Sequence, residues 1–436
     1  MGRGLRAWKN ERQDSEDGLF RLLGAHEARP CPEGLLFEDR ESGSPQVRLM
    51  SKSRWFAVGS ADQSAREPGA DAADEALAYD DPKLLVVFCP QAYDPPVIVR
   101  QVRHRSGSVP LIGCTTAGEF ATGGSDEPSV VIAAFGGDGF TIETVAAPSA
   151  SENMRLAGDR VARCLPSPEG HPYRALLLLT DGLAGDQQEM LRGAYAVLGA
   201  GVPLVGGCAG DDLNMVRTFQ LHDDQVLTDS VVAAGIASNA PLGIGIGHGW
   251  RRVGEPILVT RSGENRVYTL DDEPALDVYL EHLGVVDPLQ VSGRELTELA
   301  LMHPLGLGGR GGNEFVRFIS GADFDEHSLA CIAEIPQGGL IWIMEGDPES
   351  VLSATDAACS DALAALDDHV PLGLLAFDCV ARRLVLGDDG TRTELARLLT
   401  CASGAPLAGF YSYGEIARTR GIPGFHNQTL VVLAVA

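Results

Sequence analysis

Residues 110–120 read PLIGCTTAGEF and residues 203–213 read PLVGGCAGDDL, two stretches that begin with Pro-Leu and place a carboxylate after small residues. Each follows an apolar run, KLLVVF (83–88) or ALLLLT (175–180), and precedes another, SVVIAAF (129–135) or SVVAAGI (230–236). A third version comes late in the chain, where LAGFYSYGEI (407–416) leads into TLVVLAV (429–435). This spacing predicts a unit of strand, helix, strand, loop and strand that recurs along the chain.

The apolar runs lack the alternation of a half-exposed strand, as expected when both faces of a sheet are covered. Segments between them, such as DQQEMLRGAYAVLGAG (186–201), have helical spacing and a glycine stop. We predict an α/β fold of repeated α/β units with mixed or mainly parallel sheets, in two domains. The strand, acidic turn and helix of VYTLDDEPALDVYLEHLG (267–284) mark the boundary. The expected divisions are a weakly ordered N-terminal extension (1–49), an N-terminal domain (50–265) and a C-terminal domain (266–436).

Composition narrows the class of protein. The 436 residues carry 34 basic and 60 acidic side chains, a formal charge of -26, which argues against nucleic acid or an anionic membrane as a partner. We find no apolar stretch of the roughly 20 residues that span a bilayer and no signal-peptide pattern. The nine cysteines are scattered and form no CxxC pair, which indicates a reducing compartment and no zinc site. We therefore expect a cytoplasmic protein that binds neither nucleic acid nor membrane.

Carboxylates at the strand ends are the strongest candidates for function. Glu119, Asp211, Asp212 and Glu415 follow apolar strands beside glycines, where open α/β sheets bind ligands. The alternative is that these side chains cap helices or accept backbone amides in tight turns. Arg382 has a similar pair of interpretations, because it could clamp a carboxylate ligand or pair with an acid of the fold.

Other motifs support catalysis or cofactor binding less well. GLGGRG (306–311) matches a dinucleotide-binding string, but a strand-like run follows where a helix is required. Cys114 could be a nucleophile at a strand end, or a small packing residue. His426 could ligate a metal or haem, with His248 and His303 as weaker candidates, or could be a hydrogen-bonded structural residue.

Six ordered motifs resemble the FIST family from about residue 50 to the end. GCTTAGEF with SVVIAAF resembles the N-terminal half, RVYTLDDEPALDVYL with HPLGL resembles the junction, and FDCVARRLVLG, GFYSYGEI and FHNQTLVVL resemble the C-terminal half. Carried over by motif, the family's residues are Gly113, Cys114, Thr115, Thr116, Gly118, Glu119, Cys379, Arg382, Tyr413, Gly414, Glu415, His426 and Asn427. Tyr413 departs from the pattern, because many relatives have a cysteine there.

This resemblance implies a bacterial sensory module of signal transduction. We expect a small-molecule ligand, such as an amino acid, and no catalytic activity. The implied partner is a signalling protein such as a histidine kinase or a cyclic-di-GMP enzyme, reached in trans. The second hypothesis is a nitric-oxide sensor with haem as cofactor and His426 as axial ligand, and the third is a thiol-dependent enzyme using Cys114.

Overall fold

The computed structural model describes residues 53–124, 127–285, 291–308, 314–419 and 424–436, all of which belong to one compact unit. The predicted N-terminal extension, residues 1–49, lies outside the described residues. Within the described residues no helix combines the length and apolar character needed to cross a membrane.

The helices, in chain order, are α1 (Pro68–Ala76), α2 (Pro95–Ser106), α3 (Met154–Ala162), α4 (Gln187–Leu198), α5 (Ala275–His282), α6 (Gly293–Met302), α7 (Pro348–Ala364) and α8 (Val380–Ala402). A 3-10 turn at Ala150–Glu152 precedes α3. Helix α8 is broken at Gly387, whose φ of 63° is left-handed.

The strands, in chain order, are β1 (Trp55–Asp62), β2 (Pro82–Pro90), β3 (Leu111–Thr116), β4 (Glu119–Ala121), β5 (Ser129–Gly136), β6 (Phe140–Pro148), β7 (Tyr173–Asp181), β8 (Leu204–Ala209), β9 (Gln220–His222), β10 (Gln225–Leu227), β11 (Ser230–Ser238), β12 (Leu242–Gly247), β13 (Arg251–Gly263), β14 (Arg266–Leu270), β15 (Glu273–Pro274), β16 (Leu305–Gly308), β17 (Glu314–Arg317), β18 (Ile319–Asp323), β19 (Ser328–Cys331), β20 (Leu340–Glu345), β21 (Gly373–Cys379), β22 (Leu407–Ser412), β23 (Glu415–Arg418), β24 (Phe425–His426) and β25 (Leu430–Val435).

Three repeats build three sheets with one topology. Their strand orders are β1-β5-β2-β3, β6-β11-β7-β8 and β12-β25-β21-β22. In each sheet the last two strands are parallel and joined by a helix (α2, α4 or α8), whereas the other neighbours are antiparallel. Repeated α/β units and mixed sheets, predicted from the spacing, are therefore confirmed. The sequence did not predict that each unit opens with its own strand and helix, because only the first copy showed a clear signal for both.

Each repeat also donates a strand to the sheet of another repeat. β4 of the first pairs with β22 of the third, β23 of the third pairs with β8 of the second, and β9 of the second pairs with β3 of the first. The three exchanges run in one rotational sense and close a ring. They cover the edge that each parallel pair would otherwise expose.

The apolar character of the repeat strands follows from burial on both faces. One apolar core is formed by side chains from all three sheets, including Phe88, Leu177, Phe377 and Phe410. The opposite faces pack under helices, as Leu85 and Val87 do in the first repeat. The same strands therefore need apolar residues at successive positions.

A second, β-rich layer is inserted into the third repeat between β12 and α7. Strands β13–β20 form an eight-stranded sheet that packs with α5 and α6 around a core of its own, which includes Ile257, Tyr279 and Leu329. A strand, β17, follows the GLGGRG string at the position where a dinucleotide site needs a helix, which agrees with the rejection of that motif.

Candidate functional site

The loops that follow β3, β8 and β22 meet where the three repeats join. We call residues 110–120, 203–213 and 406–416 the strand-end motifs. Each strand-end motif donates one backbone hydrogen bond to another motif, and the three bonds are equivalent. Ala117 N donates to Tyr411 O (3.0 Å), Tyr413 N donates to Cys208 O (3.2 Å), and Gly210 N donates to Thr115 O (2.9 Å). Because the donors and the acceptors occupy equivalent motif positions, the ring is a pseudo-threefold arrangement.

The return hydrogen bonds identify a residue that sequence reasoning missed. Tyr411 N donates to Gly118 O (2.8 Å) and Cys208 N to Gly414 O (2.8 Å), whereas Thr115 N donates to Phe219 O (2.9 Å). Phe219 thus takes the place of Gly118 and Gly414, and the next residue, Gln220, takes the place of Glu119 and Glu415.

Strand register gives the same equivalence. Glu119 faces Phe410, Glu415 faces Gly207 and Gln220 faces Cys114, and the three partners share one motif position. Residues 211–218 are an insertion in the second copy. Matching the motifs by sequence therefore pointed to Asp211 and Asp212 rather than to Gln220.

Glu119 and Glu415 make matching hydrogen bonds. Thr116 Oγ1 donates to Glu119 Oε1, and Ser412 Oγ donates to Glu415 Oε1 (2.6 Å). Glu415 Oε2 also accepts from Thr429 N (3.2 Å), and Glu119 accepts from the backbone of Ser129. Burial raises the pKa of both carboxyls to about 8, although these hydrogen bonds oppose the rise. Both groups are therefore mostly protonated at neutral pH.

The two glutamate residues differ in burial. Glu415 is fully buried, whereas Glu119 is partly exposed at the carboxyl ends of β2 and β3. Arg383, from the first turn of α8, is the cation beside Glu119 and lowers its pKa. The Arg383 guanidinium donates through Nη1 to Ala117 O and lies over the Tyr411 ring, 5.3 Å from its centroid. Glu119 and Arg383 thus bring an acid and a base from two different repeats to one position.

Gly113 and Gly118 allow close approach, but of the chain itself. A Cβ on Gly113 would lie 2.4 Å from Val87 O, and the equivalent glycines Gly206 and Gly409 would meet the carbonyl oxygens of Leu178 and Ala376 in the same way. Gly118, with a φ of 117°, leaves room for Arg383 Nη1, which would be 2.7 Å from a Cβ. Gly113, Gly206 and Gly409 therefore allow neighbouring strands to pack closely, and Gly118 allows Arg383 to pack against the backbone.

Asp211 organises its own loop, which is the alternative considered for these carboxylates. Its Oδ1 accepts from Met215 N (2.8 Å) and its Oδ2 from Val216 N (2.7 Å) and Arg217 N (3.0 Å). Tyr413 Oη also donates to Asp211 and accepts from Leu213 N (2.8 Å). Tyr413 therefore ties the third repeat to the inserted loop of the second. Asp212 is exposed at the surface.

Arg382 pairs with acids of the fold. Its side chain is 0% exposed, and its Nε donates to Asp378 (2.7 Å), its Nη1 to His248 O (2.9 Å) and its Nη2 to Thr355 and Glu394. Burial, together with the charge of Glu394, raises the pKa of Asp378 well above its usual range. These partners occupy the guanidinium from every side, so Arg382 joins α7, α8 and β21.

Cys114 has the surroundings of a packing residue. It is 0% exposed inside β3, and burial raises the pKa of its thiol well above the usual range. Thr115, next to it, uses its Oγ1 to accept from Phe219 N (2.9 Å). Such a thiol lacks the exposed, electropositive setting that a nucleophilic cysteine requires.

The surroundings of His426 do not fit a haem ligand. Its Nε2 lies 2.9 Å from the carbonyl oxygen of Ala417, its ring packs against Phe315, and the residue is 3% exposed. Asn427 beside it is also buried, and its Oδ1 has no hydrogen-bond partner among the described residues. In the part of the chain that the structure describes, no three His, Cys, Asp or Glu side chains are grouped so as to hold a metal ion.

Comparisons with known proteins agree with this architecture. The FIST N domain matches residues 83–273 and the FIST C domain matches residues 275–418. An uncharacterized protein of Methanocaldococcus jannaschii is 27% identical over 260 residues, which cover 55% of this chain and 49% of that protein. The chain thus spans about half the length of that relative.

Two mycobacterial relatives match over more of their length. An uncharacterized protein of Mycobacterium bovis is 26% identical over 387 residues, and one of Mycobacterium tuberculosis is 25% identical over 383 residues; both alignments cover 84% of this chain and 94% of the relative. Among solved structures, PurLQS from Thermotoga maritima gives a TM-score of 0.21 at 12% identity, over 89% of this chain and 74% of that one, a likeness too weak to bear on the fold. FIST domains are associated with sensory modules of signal transduction, and with matches to both domains over most of its length this chain belongs to the FIST family.

Proposed function

We propose that this protein is a cytoplasmic sensor that binds a small ligand between its FIST halves and regulates a signalling protein in trans. The observation that carries the proposal is the partly exposed residue Glu119, whose carboxyl lies beside the Arg383 guanidinium at the carboxyl ends of β2 and β3. Ligands of open α/β sheets bind at that end of the strands. Glu119 belongs to the FIST N domain and Arg383 to the FIST C domain.

An acid beside a base is complementary to a zwitterion. In the proposed complex, an amino acid places its ammonium group on Glu119 and its carboxylate on Arg383, which can bind a carboxylate through two parallel N–H groups. Thr116 orients the Glu119 carboxyl by donating a hydrogen bond to Oε1. Arg382, whose donors are taken by the fold, is replaced in this role by its neighbour.

The burial of Glu415, compared with the partial exposure of Glu119, disfavours Glu415 as a ligand residue. Its carboxyl has the same hydrogen bonds as Glu119, but it is 0% exposed and lies beside Cys379 and Arg382 inside the third repeat. We assign Glu415 to the closure of the ring and Glu119 to the ligand.

The route from ligand to partner runs through contacts between repeats. Arg383 contacts Ala117 of the first repeat and Tyr411 of its own, and Tyr411 exchanges backbone hydrogen bonds with residues 117 and 118. A ligand that draws Arg383 away from Ala117 changes that junction. The proposed partner is a signalling protein such as a histidine kinase or a cyclic-di-GMP enzyme, in keeping with the role associated with FIST domains.

A panel of the common amino acids, screened by thermal shift on the purified protein, tests the proposal. We expect at least one to raise Tm of the wild type and of the control variant Glu281→Gln, which alters an exposed carboxylate. Glu119→Gln and Arg383→Met should lose the shift, because each removes a charge-assisted hydrogen bond of about 1.5–3 kcal/mol and so costs about tenfold or more in affinity. Equal shifts in all four proteins, or no shift in any, would contradict the proposal.

A further inference from the structure

Two cysteines face each other across a helix pair outside the ligand site. Helices α7 and α8 lie side by side. Thr355 Oγ1 donates to Glu394 Oε1 (2.6 Å), and Arg397 Nη1 donates to Asp356 Oδ2 (2.9 Å). These two contacts fix the register of α7 against α8.

Cys359 and Cys401 lie one helical turn further along the same seam. Cys359 comes four residues after Thr355 on α7, and Cys401 comes four residues after Arg397 on α8, so both point to the side already in contact. Cys401 lies close enough to Cys359 to raise the pKa of the Cys359 thiol. Both belong to the same apolar cluster.

Their exposure differs in a way that suits stepwise oxidation. Cys359 is buried, whereas Cys401 is partly exposed and is the one cysteine outside the buried class in the part of the chain that the structure describes. Cys114 and Cys208, by contrast, are close to each other at the centre of the ring but are both fully buried. Access for an oxidant and a neighbouring second thiol therefore coincide at the α7–α8 seam.

We propose that Cys359 and Cys401 are a modification site that forms a reversible intramolecular disulfide when the protein meets a hydroperoxide. This inference does not depend on the proposed ligand or on Glu119. The disulfide ties α7 to α8 beside the buried ion cluster of Arg382, Asp378 and Glu394.

The reaction balances with one molecule of hydroperoxide. The Cys401 thiolate attacks a peroxide oxygen, the O–O bond breaks, and Cys401 becomes a sulfenic acid while hydroxide or alkoxide leaves with a proton as water or alcohol. The Cys359 sulfur then attacks the Cys401 sulfur, its proton is lost, and the hydroxyl group leaves as water. Two thiols have lost two electrons and two protons, and the peroxide has been reduced.

The burial of Cys359 assigns the order of these steps. Burial raises the pKa of the Cys359 thiol, and the neighbouring Cys401 adds to the rise. The thiolate is the reactive form, so the partly exposed Cys401 reacts first and Cys359 acts as the resolving thiol. Bond formation requires the two sulfurs to approach to about 2.05 Å, and rotation of the two side chains across the α7–α8 seam contributes to this movement.

The test uses the folded full-length chain treated with hydrogen peroxide, alkylated to block remaining thiols and mapped by mass spectrometry without reduction. We expect a peptide pair joined through Cys359 and Cys401, reversed by dithiothreitol, and a raised midpoint of urea unfolding in the oxidised form, because the crosslink constrains the unfolded chain. Cys164→Ser, a buried control at the end of α3, should behave as the wild type.

Two variants separate the roles of the thiols. Cys359→Ser should accumulate the Cys401 sulfenic acid, detected with a dimedone probe, because the resolving thiol is gone, whereas Cys401→Ser should show neither sulfenic acid nor disulfide. Absence of the 359–401 pair in oxidised wild type, or its replacement by a crosslink between two chains, would overturn the proposal. The wild-type peptide map decides this even when a variant does not fold.

Discussion

At the scale of single residues, burial decides which polar groups remain for a ligand. Glu119 and Glu415 have equivalent positions and equivalent hydrogen bonds, but only Glu119 reaches solvent. Likewise Arg382 gives its donors to the fold, whereas its neighbour Arg383 lies at the partly exposed junction. Adjacent or equivalent residues of this chain therefore differ in burial and in the partners they have.

The buried carboxyl of Glu415 predicts a pH dependence of stability. Its pKa is about 8 in the folded chain and near 4.5 when unfolded, so between those values the folded state holds a proton that the unfolded state has lost. Stability should therefore fall as pH rises from about 5 to 8, with Glu415 contributing up to about 1.4 kcal/mol per pH unit. Glu415→Gln, which mimics the protonated form, should reduce that slope in urea titrations at several pH values.

Glu281→Gln is the matched control for this experiment, since Glu281 is exposed and should leave the slope unchanged. A slope in Glu415→Gln equal to that of the wild type would show that the carboxyl is ionised in the folded protein. Glu119, whose pKa is also raised to about 8 by burial, accounts for part of the slope that remains.

At the scale of elements, much of each repeat could be predicted from sequence. Strands that are buried on both faces read as continuous apolar runs, and a helix with a glycine stop separates the parallel pair, so KLLVVF and ALLLLT were both recognisable. Short exchanged strands such as β4 and β9 are three residues long, and nothing in so short a run encodes the edge with which it pairs. The insertion 211–218 concealed Gln220 in a similar way. Strand register shows that Gln220 is equivalent to Glu119 and Glu415, whereas the spacing of the sequence motifs does not.

The glycine shared by the strand-end motifs (Gly113, Gly206 and Gly409) lies where a Cβ would clash with the neighbouring strand, so we expect substitutions there to destabilise the fold. A Cβ on Gly206 would lie 1.9 Å from Leu178 O, the neighbouring strand's backbone, which cannot move without disturbing the β7–β8 pair. We expect Gly206→Ala to destabilise the protein by at least about 1–3 kcal/mol in equilibrium unfolding.

Gly321→Ala is the control for Gly206→Ala, because Gly321 also lies in a strand but has open space where its Cβ would be. Its effect should stay within about 0.5 kcal/mol. Comparable losses in the two variants would mean that strand propensity, and not close approach, explains the glycine.

At the scale of the whole molecule, the exchanged strands make the two FIST halves interdependent. β23 of the C-terminal half completes a sheet of the N-terminal half, and β4 of the N-terminal half completes a sheet of the C-terminal half. The same exchange brings Glu119 to the start of α8, where Arg383 lies. The candidate ligand site is thus a product of assembly, which explains why the sequence could nominate Glu119 but selected Arg382 instead of Arg383.

The most direct test of the ligand site is a calorimetric count of protons released on binding. The amino acid that gives the largest thermal shift is titrated into the protein at pH 7 in phosphate and in Tris, whose ionisation enthalpies differ. Glu119 has a pKa of about 8 and starts mostly protonated, so pairing with an ammonium group should release up to about one proton, and the heats in the two buffers should differ. Glu119→Gln should bind about tenfold or more weakly and release none. Equal heats in the two buffers for the wild type, or the same proton release in Glu119→Gln, would contradict the assignment of Glu119 as the ligand-binding carboxyl.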